Sequence, residues 1–164
     1  MTLSKSRLVF LLELLNRETD EEHPITVADI ISRLNKEGFT ATRKTVAKDI
    51  DTLIAHGVDV VCNKGRQNQY FIGERILQLT ELTLLVDAVQ AAKFISVKQS
   101  QTIIEKLSTL TSNYLAEKLH RHLYVDKQIK SLNEKLFYTV DTLQTAIQTK
   151  KQVLFQYYEY TAEK

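Results

Sequence analysis

The sequence predicts a mainly α-helical fold, interrupted by one short β hairpin and closed by a single strand. Three observations predict it. Only one proline and four glycines punctuate the 164 residues, so few points force the chain out of a helix. Leucine and isoleucine recur at three- and four-residue steps through most of the chain, the period of one helix face. In two places, "VDVV" with "QYFI" and the closing "KKQVLFQYYEYTAEK", the apolar residues are instead β-branched and aromatic types that suit strands.

The elements follow in order. Leu8, Leu11, Leu12 and Leu15 define the buried stripe of a first helix from about Ser4 to Arg17, which "ETDEEHP" breaks. Thr26 and Asp29 form a capping-type start for a second helix; Val27, Ile30, Ile31 and Leu34 line its apolar side, and Gly38 stops it. Thr42 caps a third helix that Gly57 ends. On this helix Val46, Ile50, Leu53 and Ile54 share one face, and Lys44, Thr45, Lys48, Asp51 and Thr52 share the other.

Two helices joined by so short a turn, the second basic at its start, match a helix-turn-helix, whose second helix enters the major groove of DNA. "VDVV" and "QYFI" then flank "CNKGRQN", an exposed hairpin loop that serves as the wing of the winged variant. At least three helices follow, in "TELTLLVDAVQAAKFI", "SQTIIEKLSTL" and "NEKLFYTVDTLQTAI". Their apolar surface exceeds what covering a small head requires, which implies burial among themselves and against a second copy. The terminal strand lacks a partner within the chain, which makes it a docked tail or the first strand of a domain that has been cut off.

Composition bounds the function. With 43% hydrophobic and 26% charged residues the chain has the make-up of a folded protein. A net charge of +2 announces no polyanion partner, so a case for nucleic acid rests on where the charges sit. The single cysteine, Cys62, reads as a strand residue and suits a reducing cytoplasm. No run approaches the roughly 18 apolar residues of a membrane span, and Glu13 interrupts the first apolar stretch, so neither a signal peptide nor membrane binding is expected.

The candidate DNA-binding residues are Thr42, Arg43, Lys44, Thr45 and Lys48 on the third helix, with Lys64 and Arg66 at the wing tip. Lysine or arginine can reach guanine edges, Thr45 a phosphate or a thymine methyl, and the helix N-terminus a phosphate. The plain alternatives are a solvated helix face and a charged hairpin that keeps an edge from aggregating. Asp49 borders the apolar face, where an internal partner such as Arg33 is expected. His120 and His122 point apart at a spacing of two and have no Cys, Asp or Glu beside them, so no metal is expected. His23 and His56 read as loop and helix-end residues, and Tyr157, Tyr158 and Tyr160 as sheet packing rather than base-stacking groups. No phosphate loop or nucleophile motif is present, so neither enzymatic activity nor a cofactor is expected.

"TRKTVAKDIDTLIAHGVDV", "NKGRQNQYFIGERILQLTELTLLVDAVQAAKFIS" and "NEKLFYTVDTLQTAIQTKKQVLFQY" resemble the bacterial transcriptional regulators that join a winged helix-turn-helix head to a C-terminal WYL domain. Where that family has a pattern like Ser-x-Arg-Thr-Ile-x-Arg-Asp-Ile, this chain has Thr42, Lys44, Thr45, Val46, Lys48, Asp49 and Ile50. Both arginines are lysines here, which keeps charge but loses two-pronged pairing. The resemblance implies a head over 1–75, a helical linker and dimerisation region over 76–149, and the first strand of a truncated WYL domain over 150–164. It implies a cytoplasmic, homodimeric regulator of transcription that binds double-stranded DNA and answers to a small-molecule or nucleotide effector in the missing domain. A protein-interaction module with the same fold and no DNA binding is the alternative.

Overall fold

The computed structural model describes residues 3–122 and 135–156. In order the elements are α1 (Leu3–Glu18), β1 (Ile25–Thr26), α2 (Val27–Lys36), α3 (Arg43–Ala55), β2 (Val60–Asn63), β3 (Gln69–Ile72), α4 (Leu79–Ala91), α5 (Val97–Ser108), α6 (Asn113–His122) and α7 (Lys135–Gln148). The strands form one antiparallel sheet in the order β1-β3-β2.

Local chemistry explains the boundaries around the turn. At the start of α2 the Thr26 hydroxyl accepts from the Asp29 N–H at 3.2 Å, and the Asp29 carboxylate accepts from the Thr26 N–H at 3.1 Å. Gly38, at φ +81°, ends α2; the Phe39 N–H reaches back to the Leu34 carbonyl at 2.9 Å, and the Gly38 N–H to Asn35 at 3.1 Å. This is the paired closure that a left-handed glycine permits. Gly57, at φ +86°, closes α3 the same way, with the Val58 N–H on the Leu53 carbonyl at 3.0 Å. Between the helices, the Asn35 side chain accepts from the Ala41 N–H at 3.3 Å and pins the turn.

Thr42 caps α3 reciprocally. Its hydroxyl accepts from the Thr45 N–H at 3.3 Å while its own N–H donates to the Thr45 hydroxyl at 2.8 Å. Thr42→Ala is therefore expected to cost about 1 kcal/mol, seen as a lower urea midpoint with an unchanged slope. No change in midpoint would mean that water replaces the cap without loss.

The sheet departs from the expected hairpin in two ways. "VDVV" is not a strand throughout: Val58 belongs to the closure of α3, and the Asp59 carboxylate accepts from the Glu74 N–H at 2.7 Å, so β2 begins only at Val60. In addition, Ile25 pairs with Tyr70 and Thr26 with Gln69, which adds a third strand on the far edge of β3.

Two apolar cores result among the described residues. Leu11, Leu15, Ile30, Leu34, Val46 and Ile50 centre the first, which α1, α2 and α3 close over the sheet. Leu82, Val86, Ile104 and Leu119 centre the second, formed by α4, α5 and α6. Ile54, expected on the buried face of α3, is 49% exposed, although Leu53 beside it is buried; at about 100° per residue Ile54 lies at the edge of the stripe that Val46, Ile50 and Leu53 centre.

The C-terminal expectations need correction. In α7, Leu143 is 40% and Ile147 76% exposed, so these two residues of the expected stripe join neither core, while Val140 is half-buried and the Leu136 side chain lies outside the described residues. Residues 151–156 form no strand, and Leu154 is fully exposed. A strand needs a ladder partner for its backbone groups, and the described residues offer none. Residues 157–164, with Tyr157, Tyr158 and Tyr160, lie outside the described residues.

Candidate nucleic-acid interface

Helix α3 is divided lengthwise. Val46, Asp49, Ile50 and Leu53 are buried, whereas Arg43, Lys44, Ala47, Lys48 and Asp51 are exposed and Thr45 and Thr52 half-buried. The rotation of the helix about its own axis decides which residues face outward, and two kinds of contact fix it. One is the apolar stripe in the first core. The other is a two-pronged ion pair, in which Arg7 Nε donates to Asp49 Oδ2 at 2.6 Å and Nη2 to Oδ1 at 3.0 Å. The hydrogen bond from Arg7 to Asp49 raises the Arg7 pKa; burial opposes it and the attraction of the two charges adds to it.

Arg7 thus takes the place expected of Arg33, which pairs instead with Glu18. The sequence did call for a cation opposite Asp49. It offered several within reach, and only the crossing of α1 over α3 selects Arg7.

Thr42, Arg43, Lys44 and Lys48 are exposed on the first half of α3, and Lys64 and Arg66 are exposed in the loop between β2 and β3. The five cations have no ion-pair partner among the described residues, as is also true of Lys5 and Lys36, whereas Arg7, Arg17 and Arg33 are paired. Unpaired cations at a helix start, beside the first backbone N–H groups, suit an anion brought from outside. Thr45 is the exception: its hydroxyl accepts from the Thr42 N–H and donates to the Thr42 carbonyl at 2.9 Å. What it offers a partner is its methyl group.

The remaining candidates are placed without chemistry converging on them. Cys62 is half-buried on β2 opposite Tyr70. The His56 ring lies 2.8 Å from the Thr52 carbonyl, and His120 Nε2 lies 3.2 Å from the Ser108 hydroxyl; the His122 side chain lies outside the described residues. Among the described residues no group of His, Cys, Asp and Glu could hold a metal ion, and no helix is long and apolar enough to cross a membrane. A groove of about 680 Å³ runs between α1, the turn at Val58 and the end of α5, and none of the cations at the start of α3 lines it.

No family profile matches the chain, and neither a curated protein nor a solved structure is detectably similar to it.

Proposed function

We propose that the chain is a sequence-specific DNA-binding regulator of transcription, a winged helix-turn-helix head carried on a helical linker. The observation that carries this reading is the set of exposed, unpaired cations at the capped start of α3, on a helix whose opposite side is held by Asp49 and the core. In this reading α3 lies in the major groove, where Lys44 and Lys48 face base edges, Arg43 and the helix N-terminus face phosphates, and the Thr45 methyl can meet a thymine.

Lys64 and Arg66 at the wing tip meet the neighbouring backbone. Replacing both with glutamine is expected to weaken binding several-fold on every duplex alike, and to lower the slope of log affinity against log salt by roughly 1–2, at about 0.9 per phosphate contact. An unchanged slope would take the wing out of the interface.

Leu84, Leu85 and Val97 are exposed at 65%, 41% and 54% on α4 and α5. Apolar surface of this kind supports pairing of two copies through the linker, which sets half-sites about 34 Å apart or at multiples of that. From the WYL resemblance come control by a small-molecule or nucleotide effector in a C-terminal domain and work in the cytoplasm.

Selection from a random duplex library at two salt concentrations tests the reading. An enriched two-fold or directly repeated site is expected. Failure to enrich any site, from protein shown to be folded, would overturn it in favour of the protein-interaction module.

A further inference from the structure

We infer that Asp20 is the clasp that holds the DNA-reading head on the helical bundle, so that the two move as one body. Asp20 lies in the segment between α1 and β1, 5% exposed, and its carboxylate is used on both sides. Oδ1 accepts from the Glu22 N–H at 3.1 Å, the His23 N–H at 2.9 Å and His23 Nδ1 at 2.7 Å. Oδ2 accepts from the Ser112 hydroxyl at 2.5 Å, across 92 residues of sequence.

Ser112 is fully buried and is itself the cap of α6, accepting from the Leu115 N–H at 3.2 Å. The carboxylate therefore sits at a helix N-terminus, where a negative charge is favoured. Burial pushes the Asp20 carboxyl up, but the hydrogen bonds from Ser112 and His23 outweigh it and hold the group below the ordinary carboxylate value.

The neighbours of Asp20 divide between the two units. Thr19, fully buried, turns to the head, where its hydroxyl accepts from the Ile72 N–H at 3.1 Å on β3. Towards α6, the His23 ring stacks flat on Tyr114 at 3.8 Å, and Glu22 pairs with Lys118 at 3.0 Å. The covalent connector between β3 and α4 meets the same segment, because Arg75 donates to the Asn16 and Thr19 carbonyls at 2.9 and 2.6 Å.

A head joined only by the connector could swivel about it; a second attachment through the segment 20–23, with the buried Asp20–Ser112 contact at its centre and the more exposed His23 and Glu22 contacts beside it, removes that freedom. This rests on the reading of α3 as the DNA-contacting helix only for its use: rearrangement of the bundle re-aims α3 instead of being absorbed by a slack joint.

The test is made without DNA, so that its failure is separate from failure of the DNA reading. In the full chain with Cys62→Ser, spin labels on Ala47→Cys in α3 and Gln101→Cys in α5 report the distance between the units, both positions being exposed. A single narrow distribution is expected, and Asp20→Ala should broaden it at least two-fold while α3, β3 and α5 keep their amide-exchange protection. An unchanged narrow distribution in a folded variant would overturn the clasp. Should Asp20→Ala lose protection throughout, Ser112→Gly decides, since glycine keeps most of the capping and removes only the hydroxyl that Asp20 holds. Broadening with both cores protected then supports the clasp. No broadening, or global loss again, makes Asp20 a folding residue and overturns it.

Discussion

Replacing Lys44 and Lys48 together with alanine is expected to lower affinity for the selected duplex roughly a hundredfold or more, with little change in stability. Each lysine on a guanine edge contributes about 1–3 kcal/mol of discrimination, and about 1.4 kcal/mol is a factor of ten. Both side chains are exposed and unpaired among the described residues. Their removal breaks no side-chain hydrogen bond or ion pair among the described residues, and alanine is at least as good a helix former. Fluorescence anisotropy on a labelled duplex, beside a thermal melt of the free protein, separates the two effects. A variant that keeps its affinity would remove α3 from the groove. One that loses affinity for every sequence equally would leave the lysines as phosphate contacts and move base reading elsewhere.

What could be read from the sequence here was local. The caps at Thr26 and Thr42 and the stops at Gly38 and Gly57 depend on partners within a few residues, and each lies where the side-chain chemistry puts it. Strand β1 is not legible in the sequence because two residues carry no alternation, and Ile25 becomes a strand only when β3 offers it an edge. β2 starts later than residue type suggests because Val58 fits a strand by type, whereas the glycine before it commits the Val58 N–H to α3.

The long-range polar pairs were beyond reach for a different reason. Arg7 and Asp49 are 42 residues apart, Asp20 and Ser112 are 92, and nothing in residue type says which of several cations or hydroxyls a carboxylate will meet. In α7 the apolar spacing is as regular as in α4, yet Leu143 and Ile147 stay exposed. Periodicity states which face can be buried, and leaves open what buries it.

Asp49→Ala is expected to destabilise the protein by about 2–3 kcal/mol, because the change leaves the Arg7 guanidinium partly buried with its partner gone. The side chains of Arg7 and Asp49 are 16% and 10% exposed. Breaking a fully buried pair from one side costs roughly 3–5 kcal/mol, and residual contact with water places this pair below that range. In a chain of 164 residues such a loss lowers the midpoint of thermal unfolding by roughly 5–10 °C. Function should suffer beyond the stability loss, since Asp49 is the polar contact on the buried side of α3 and sets which residues that helix turns outward. The pair therefore predicts non-additivity. Arg7→Ala with Asp49→Ala should cost clearly less than the two single changes summed, because the second removal relieves the stranded charge left by the first. If either single change costs less than about 0.5 kcal/mol, the ion pair is only as valuable as an exposed one. The apolar stripe of Val46, Ile50 and Leu53 would then be what holds α3 in its orientation.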